Sequence, residues 1–204
     1  MAAISEWLTP SEAAVVAGVS VRDVNRVIDE HIVPEALYSL KDGRWLRSHA
    51  CTYVRFYFHA AKILTSDERT HVIRTLSALK RHRWTFHHEF LTVKLDGLFE
   101  ETQARHAALL RARELVVEDP EILGGTPVIR GTRVPVYGVA ASVAAGDDVK
   151  RIRAAYPDLD DEHVELASLY AQANPPRGRP RDRTPTNAGL KLISERAVPR
   201  RARA

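Results

Sequence analysis

Asp119-Pro120-Glu121-Ile122-Leu123-Gly124-Gly125-Thr126-Pro127-Val128-Ile129-Arg130-Gly131-Thr132-Arg133-Val134-Pro135 confines its own backbone to one path. Gly124-Gly125 takes positive φ at little steric cost, so a tight turn follows Ile122-Leu123. Pro127 steers Thr126 away from helix, and Val128-Ile129 then reads as a short buried strand. Gly131 turns the chain again, and Arg133-Val134-Pro135 leads into an apolar helix that begins near Val136. Together these residues predict a small β-hairpin docked beneath a helical module.

The same residues carry a resemblance. Asp119-Pro120-Glu121-Ile122, Gly124-Gly125, Pro127-Val128-Ile129-Arg130-Gly131-Thr132-Arg133 and Pro135, followed by Tyr156-Pro157-Asp158-Leu159, resemble domain-of-unknown-function family 433. The resemblance spans Glu118 to Ala173. That family is similar to the antitoxin half of VapB-type toxin–antitoxin pairs, whose toxins are PIN-like ribonucleases. Many of its members are single small domains, whereas this chain carries a further N-terminal module.

A chain of 204 residues can hold one or two small domains with cores of their own. Hydrophobic residues at 45% and charged residues at 27% are the balance of an ordinary soluble protein. The formal net charge of +4 hides an asymmetry. Asn174 to Ala204 carries nine basic residues against Asp182 and Glu195, which leaves 21 basic and 24 acidic residues in Met1 to Ala173. The positive charge is therefore a property of the tail and says what the tail prefers to touch. The single Cys51 lies in the apolar run Ala50-Cys51-Thr52-Tyr53-Val54 and reads as a buried small hydrophobe. With no signal peptide and no membrane-length apolar run, a cytoplasmic protein is expected.

Residues 1–82 read as a winged helix-turn-helix with trailing helices. Thr9 or Ser11 caps a helix opened by Pro10, with Ala13, Ala14, Val16 and Ala17 as its apolar face. Gly18-Val19 makes the turn, and Ser20 caps a second helix running to about Glu30. Val21, Val24, Val27 and Ile28 recur at helical spacing and are expected to face inward, leaving Arg22, Asn25 and Arg26 outward. Leu37 to Leu40 and Arg44 to Leu46 flank Lys41-Asp42-Gly43, a hairpin signal. This part resembles the start of MerR-type winged-helix domains. Further helices are expected at Ser48–Lys62 and Ser66–Arg81.

Residues 83–117 predict a strand over Phe86–Leu95, ended by Asp96-Gly97, and a charged amphipathic helix from Leu98 to about Glu114. That helix either connects two domains or belongs to a dimer interface. Residues 118–173 form the family 433 module, with helices near Val136–Ala145, Asp148–Tyr156 and Asp160–Ala173 in a second, smaller helix-turn-helix-like arrangement. Residues 174–204 have no apolar periodicity and predict a disordered basic tail. The fold class is thus mainly α with small β-hairpins.

Candidate functional residues fall into groups. Ser20, Arg22, Asn25 and Arg26 suit a DNA recognition helix, because arginine pairs with guanine edges, asparagine reads adenine, and Ser20 suits a phosphate. Lys41 and Arg44 on the wing are placed to meet phosphates, positioning the protein without specifying sequence. Arg130 and Arg133 either contact DNA or, as the glycines and prolines around them favour, pair with Asp119 and Glu121 to hold the hairpin. Lys150, Arg151 and Arg153 add a modest basic face, while Asp160, Asp161, Glu162 and Glu165 on the next helix repel phosphate, which favours dimerisation for that module. His82, His87, His88 and His106 do not make a metal site, since adjacent residues on a strand point to opposite faces and no zinc-binding spacing accompanies them. No nucleophile elbow, phosphate loop or nuclease-type aspartate set is present, so the chain reads as a non-enzyme without a cofactor.

In the tail, Arg177, Arg179, Arg181 and Arg183 alternate with small, polar or proline residues, and Leu190, Leu192 and Ile193 precede Arg196, Arg200 and Arg201. Such a tail associates with nucleic acid by counterion release. The family resemblance implies a sharper role. A PIN-like ribonuclease gathers carboxylates around Mg²⁺, and a planar guanidinium pairs bidentately with carboxylate, so a tail arginine can obstruct the metal while the apolar segment fills a neighbouring groove. The implied protein is an antitoxin that represses its own operon by DNA binding, assembled as a homodimer or a larger toxin–antitoxin complex. The alternatives are a stand-alone transcriptional regulator with no toxin, and a structural adaptor whose helical modules bind protein.

Overall fold

Thr9 and Pro10 fix the start of the first helix. In the computed structural model, which describes residues 6–79, 85–88 and 91–176, α1 spans Pro10–Ala17 with Thr9 as its cap. The Thr9 hydroxyl accepts from the Glu12 amide while the Glu12 carboxylate accepts from the Thr9 amide, satisfying two end donors reciprocally. Gly18 ends the helix at φ 66°, a left-handed value that glycine adopts without strain. After a turn through Val19, Ser20 and Asp23 form a second capping box and start α2, Val21–Asp29. Val24, Val27 and Ile28 are buried as their spacing predicts. Val21 is not: it is 41% exposed. Helical side chains lean over the preceding turn, and at the first helical position there is no preceding turn to cover.

The expected hairpin is present as β2, Tyr38–Ser39, and β3, Trp45–Arg47. It gains a further strand without a signal in the sequence, β1 at Trp7–Leu8, which pairs with β3 to give the order β1-β3-β2. A two-residue strand is too short to show alternation; pairing with β3 defines it, and Arg47 lies 4.4 Å over the Trp7 ring while pairing with Glu6 at 2.5 Å.

α3, Ala50–His59, is almost wholly inside the core and continues as one 3-10 turn to Lys62. Cys51 is fully buried there, its thiol pKa pushed up by desolvation. α4, Ser66–Ala78, starts with a Thr65–Glu68 capping box. The single strand expected over Phe86–Leu95 is instead two, β4 at Thr85–His88 and β5 at Leu91–Lys94, paired antiparallel with Phe86 opposite Val93. The adjacent apolar residues Phe90 and Leu91 break a period-two pattern, which is the sequence trace of this change of strand. Nor does Asp96-Gly97 act as a terminator: both lie in the first turn of α5, Asp96–Leu115.

α5 holds the molecule together. Thr102, His106, Leu109 and Ala112 line its buried face, and the helix packs on α1 and α3 as well as on the last described helix. The 5%-exposed Glu12 carboxylate accepts from Arg113 through Nε at 3.1 Å and Nη2 at 2.5 Å. At the other end of α1, Arg55 of α3 donates to the Ala17 carbonyl at 3.2 Å and pairs with Glu101 of α5 at 2.5 Å. Thr52 and Thr102 share a buried 2.7 Å hydroxyl contact between α3 and α5.

β6, Val116–Val117, follows α5 without a break and pairs antiparallel with β7, Val128–Ile129; the expected strand is present, but its partner lies just before the Asp119–Pro135 stretch rather than within it. The segment between them turns on Asp119, whose side chain accepts from the Glu121 amide and whose carbonyl accepts from Ile122 and Gly125. α6 at Val136–Ala144, α7 at Val149–Ala155 and α8 at Asp161–Ala173 close a second core of Ile129, Val136, Val139, Ile152, Leu159, Val164 and Ala167. α8 also packs on α1 and α5, so Ala173 belongs to the first core. The tail for which disorder is expected lies outside the described residues, apart from Asn174, Pro175 and Pro176. No described helix is long and apolar enough to cross a membrane.

Two stability predictions follow from these contacts. Glu12→Ala removes half of the capping box and leaves Arg113 without its carboxylate partner, and is expected to cost about 2–4 kcal/mol in urea unfolding. A cycle with Arg113→Ala should show strong non-additivity. His106, 8% exposed and with Nε2 unpaired among the described residues, has its pKa lowered by burial first and by Arg113 second, with Glu12 opposing. As pH falls through the ordinary value near 6.5, the unfolded chain takes up the proton before the folded one, so the native state loses stability toward acid. His106→Gln is expected to flatten that loss between about pH 7 and pH 5, read from urea midpoints.

Candidate functional site

The outer face of α2 and the adjoining hairpin bring the N-terminal candidates together. Arg22 and Arg26 are exposed on α2 and Asn25 is half-buried between them. The hairpin folds back so that Arg44 reaches α2, donating to Asn25 Oδ1 at 3.3 Å and pairing with Asp29 at 2.8 Å. Lys41 is exposed at the hairpin tip beside Asp42, whose φ of 55° forms the bend.

Internal partners already engage several of these groups. Arg26 pairs with Glu30 at 2.9 Å, which holds its pKa above the ordinary value. The Ser20 hydroxyl donates to Asp23 at 2.7 Å, and the Ser20 amide donates to the same carboxylate. A phosphate at this helix end must displace Asp23. Arg22, Arg26, Lys41 and Arg44 thus share their surface with Asp23, Asp29, Glu30 and Asp42, and the formal charges balance. The Arg26–Glu30 pair is legible as an i,i+4 spacing. The Asp29–Arg44 pair joins residues that only the hairpin geometry brings together.

In the C-terminal module the partners of Arg130 differ from those expected. Its side chain donates to the Glu114 carbonyl at 2.8 Å and its amide to the Leu115 carbonyl, so it closes the end of α5; it pairs with neither Asp119 nor Glu121. Terminal carbonyls of a helix need donors, and Arg130 supplies two. Arg133 is exposed, with no ion pair among the described residues. Arg151 pairs with Asp147 and Arg153 with Asp161, each at 3.1 Å, and Arg153 also donates to the Leu159 carbonyl. Of the basic face expected on α7, Arg151 is thus tied to the turn from α6 and Arg153 to the turn into α8.

His87 contacts Thr92 at 3.1 Å, and His88 stacks on Phe86. Among the described residues no cluster of three or more His, Cys, Asp or Glu could hold a metal. His82 and the tail candidates Arg177, Arg179, Arg181, Arg183, Leu190, Leu192, Ile193, Arg196, Arg200 and Arg201 lie outside the described residues.

The hairpin from β6 to β7 and the three helices after it form a recognisable module. The family model described as "Protein of unknown function (DUF433)" matches residues 116–171. A relative from Sinorhizobium fredii (strain NBRC 101917 / NGR234), described as "Uncharacterized protein y4eO", is 53% identical over 213 residues, covering 98% of this chain and 96% of its own length. The chain belongs to the same family as that protein, and its C-terminal module is of the DUF433 kind. No solved structure matches it.

The two signature arginines should separate in a stability assay. Arg130→Ala removes a hydrogen bond to an otherwise end-exposed carbonyl and is expected to cost about 1 kcal/mol in urea unfolding. Arg133→Ala should stay within about 0.5 kcal/mol of the parent chain. Equal losses for both would contradict the structural assignment of Arg130.

Proposed function

We propose that this protein is a VapB-type antitoxin that binds its own operator through the N-terminal module and neutralises a PIN-like ribonuclease through its C-terminal tail. The observation that carries the DNA half is the Arg44–Asn25 contact, which lays the hairpin along the outer face of α2. Arg22, Asn25 and Arg26 then share one exposed surface with Lys41 and Arg44, in the manner of a MerR-like winged helix with its recognition helix and wing. The toxin half is supported by the DUF433 module at residues 116–171 and by the nine basic residues that follow Ala173. On this reading the protein has no catalytic task, and works in the cytoplasm as a dimer or a larger assembly with its toxin.

Local charge balance shapes how DNA is read. Each phosphate contact by Arg44 or Arg26 exchanges a weak, exposed carboxylate pair, so exchange is easy yet weakens the net attraction. Base contacts by Arg22 and Asn25 then contribute most of the sequence preference.

Gel-shift titrations with the DNA upstream of the protein's own reading frame, repeated across salt concentrations, test this reading. Arg22→Ala and Asn25→Ala are each expected to lower specific affinity about tenfold. Lys41→Ala should lower the salt slope by about one across all sequences. Asp29→Asn should strengthen binding by releasing Arg44. Co-expression with the neighbouring gene product then compares the full chain with one ending at Ala173. Loss of rescue on truncation supports the tail mechanism, whereas full rescue excludes it. Shifted DNA without any nuclease neighbour favours the stand-alone regulator.

A further inference from the structure

Charge is divided sharply at the end of α8. Residues 118–173 hold ten acidic side chains against five basic ones, and residues 177–204 hold nine basic against two acidic. Within the acidic part an open groove of about 660 Å³ runs along α8, bounded by α5 and by the connection from α6 to α7. Val143, Val149 and Leu169 give it an apolar floor, and Asp161, Glu162 and Glu165 line its rim. Glu162 pairs with Arg111 at 2.8 Å and Asp161 with Arg153 at 3.1 Å, but all four side chains are at least half exposed. Such exposed pairs are weak and exchange readily for an incoming guanidinium. Glu165 is exposed and joins no ion pair among the described residues.

We propose that this groove is the resting seat of the chain's own C-terminal segment, with Leu190, Leu192 and Ile193 on the apolar floor and the arginines from Arg177 to Arg183 along the carboxylate rim. The segment starts where the groove ends. The chain leaves α8 at Asn174, whose carbonyl accepts from Tyr137 of α6 at 2.8 Å, and Gln172, two residues earlier, lines the groove. α8 is 13 residues long, about 20 Å at ~1.5 Å per residue. The stretch from Pro176 to Leu190 can extend to about 46 Å at ~3.3 Å per residue. Reach is therefore ample. Tethering supplies an effective concentration on the order of millimolar, so even a weak contact is populated. The seat lies in the chain itself and does not depend on the toxin reading, though a toxin that takes the same arginines must first draw the segment out.

The test uses the full chain carrying Ser194→Cys with a nitroxide. Cys51 is fully buried and stays unlabelled. Paramagnetic broadening of backbone amides is expected to concentrate at Val143, Val149, Glu165 and Leu169 and to spare Tyr38. The triple change Leu190→Ser, Leu192→Ser and Ile193→Ser, made outside both described cores so that the body keeps its fold, should reduce that broadening about threefold or more. Evenly spread broadening, or broadening unaffected by the triple change, overturns the proposal. Mixing isotope-labelled chains lacking the nitroxide with nitroxide-labelled, unlabelled-isotope chains identifies the source. Broadening that persists in the mixture shows a second copy as occupant and overturns the intramolecular seat, whereas its loss on mixing supports it.

Discussion

A carboxylate taken out of water must find donors for its lone pairs, and Glu12 finds them on two elements at once. The Thr9 amide and hydroxyl supply donors from its own helix end, and the Arg113 guanidinium supplies the rest from α5. One side chain therefore both starts α1 and fastens it to the far end of α5. Much else depends on that fastening. α1 backs α2, which carries the exposed arginines; α5 runs without interruption into β6, the first strand of the DUF433 module. The long helix that the sequence leaves open as a connector or a dimer element is, within this chain, the shared wall of both cores.

Electrostatics follows the same division. At the outer face of α2 cations and carboxylates balance, and the arginines are held in defined geometry by Asp29 and Glu30. Held side chains lose less conformational freedom on meeting a partner, which offsets part of the cost of exchanging the internal pair. The DUF433 module is acidic, and within it Arg130, Arg151 and Arg153 close helix ends and turns through carbonyls and nearby carboxylates. Net charge alone describes neither surface. Which cation already has a partner matters more than how many there are.

Capping chemistry explains why most helices were legible in the sequence. Thr9, Ser20, Thr65 and Asp160 each cap a helix with a partner three residues on, a local device that needs no tertiary knowledge. Asp148 caps α7 in a similar, shorter way. Proline and glycine likewise fixed the path from Asp119 to Pro135. What stayed hidden was set by distant partners. β1 has two residues and exists through pairing with β3. Asp96-Gly97 reads as a terminator by composition, yet the burial of Leu95 and the Leu95 carbonyl's bond to Phe99 draw both residues into α5. Arg130 offered nearby acids as partners, while the unsatisfied end of α5, sixteen residues earlier, claimed it. Among the candidate DNA contacts, residue types and outward direction were legible, but the carboxylates that engage them were only partly so.

Polar contacts between α1, α3 and α5 also fix how these helices sit along one another. Apolar side chains such as Leu109 and Val54 gain from burial in any of several registers, because that gain has no direction. Glu12–Arg113, Arg55 with Ala17 and Glu101, and Thr52–Thr102 each require one alignment, and a slip of one turn would strand buried donors and acceptors together. The pins add little net stability when intact, since desolvation offsets most of their attraction. Their effect is to make the wrong registers costly. α8 packs on the frame they define, against both α1 and α5, and ends with Asn174 held by Tyr137. A helix register set near residue 12 thus determines where α8 ends and where Asn174 is held.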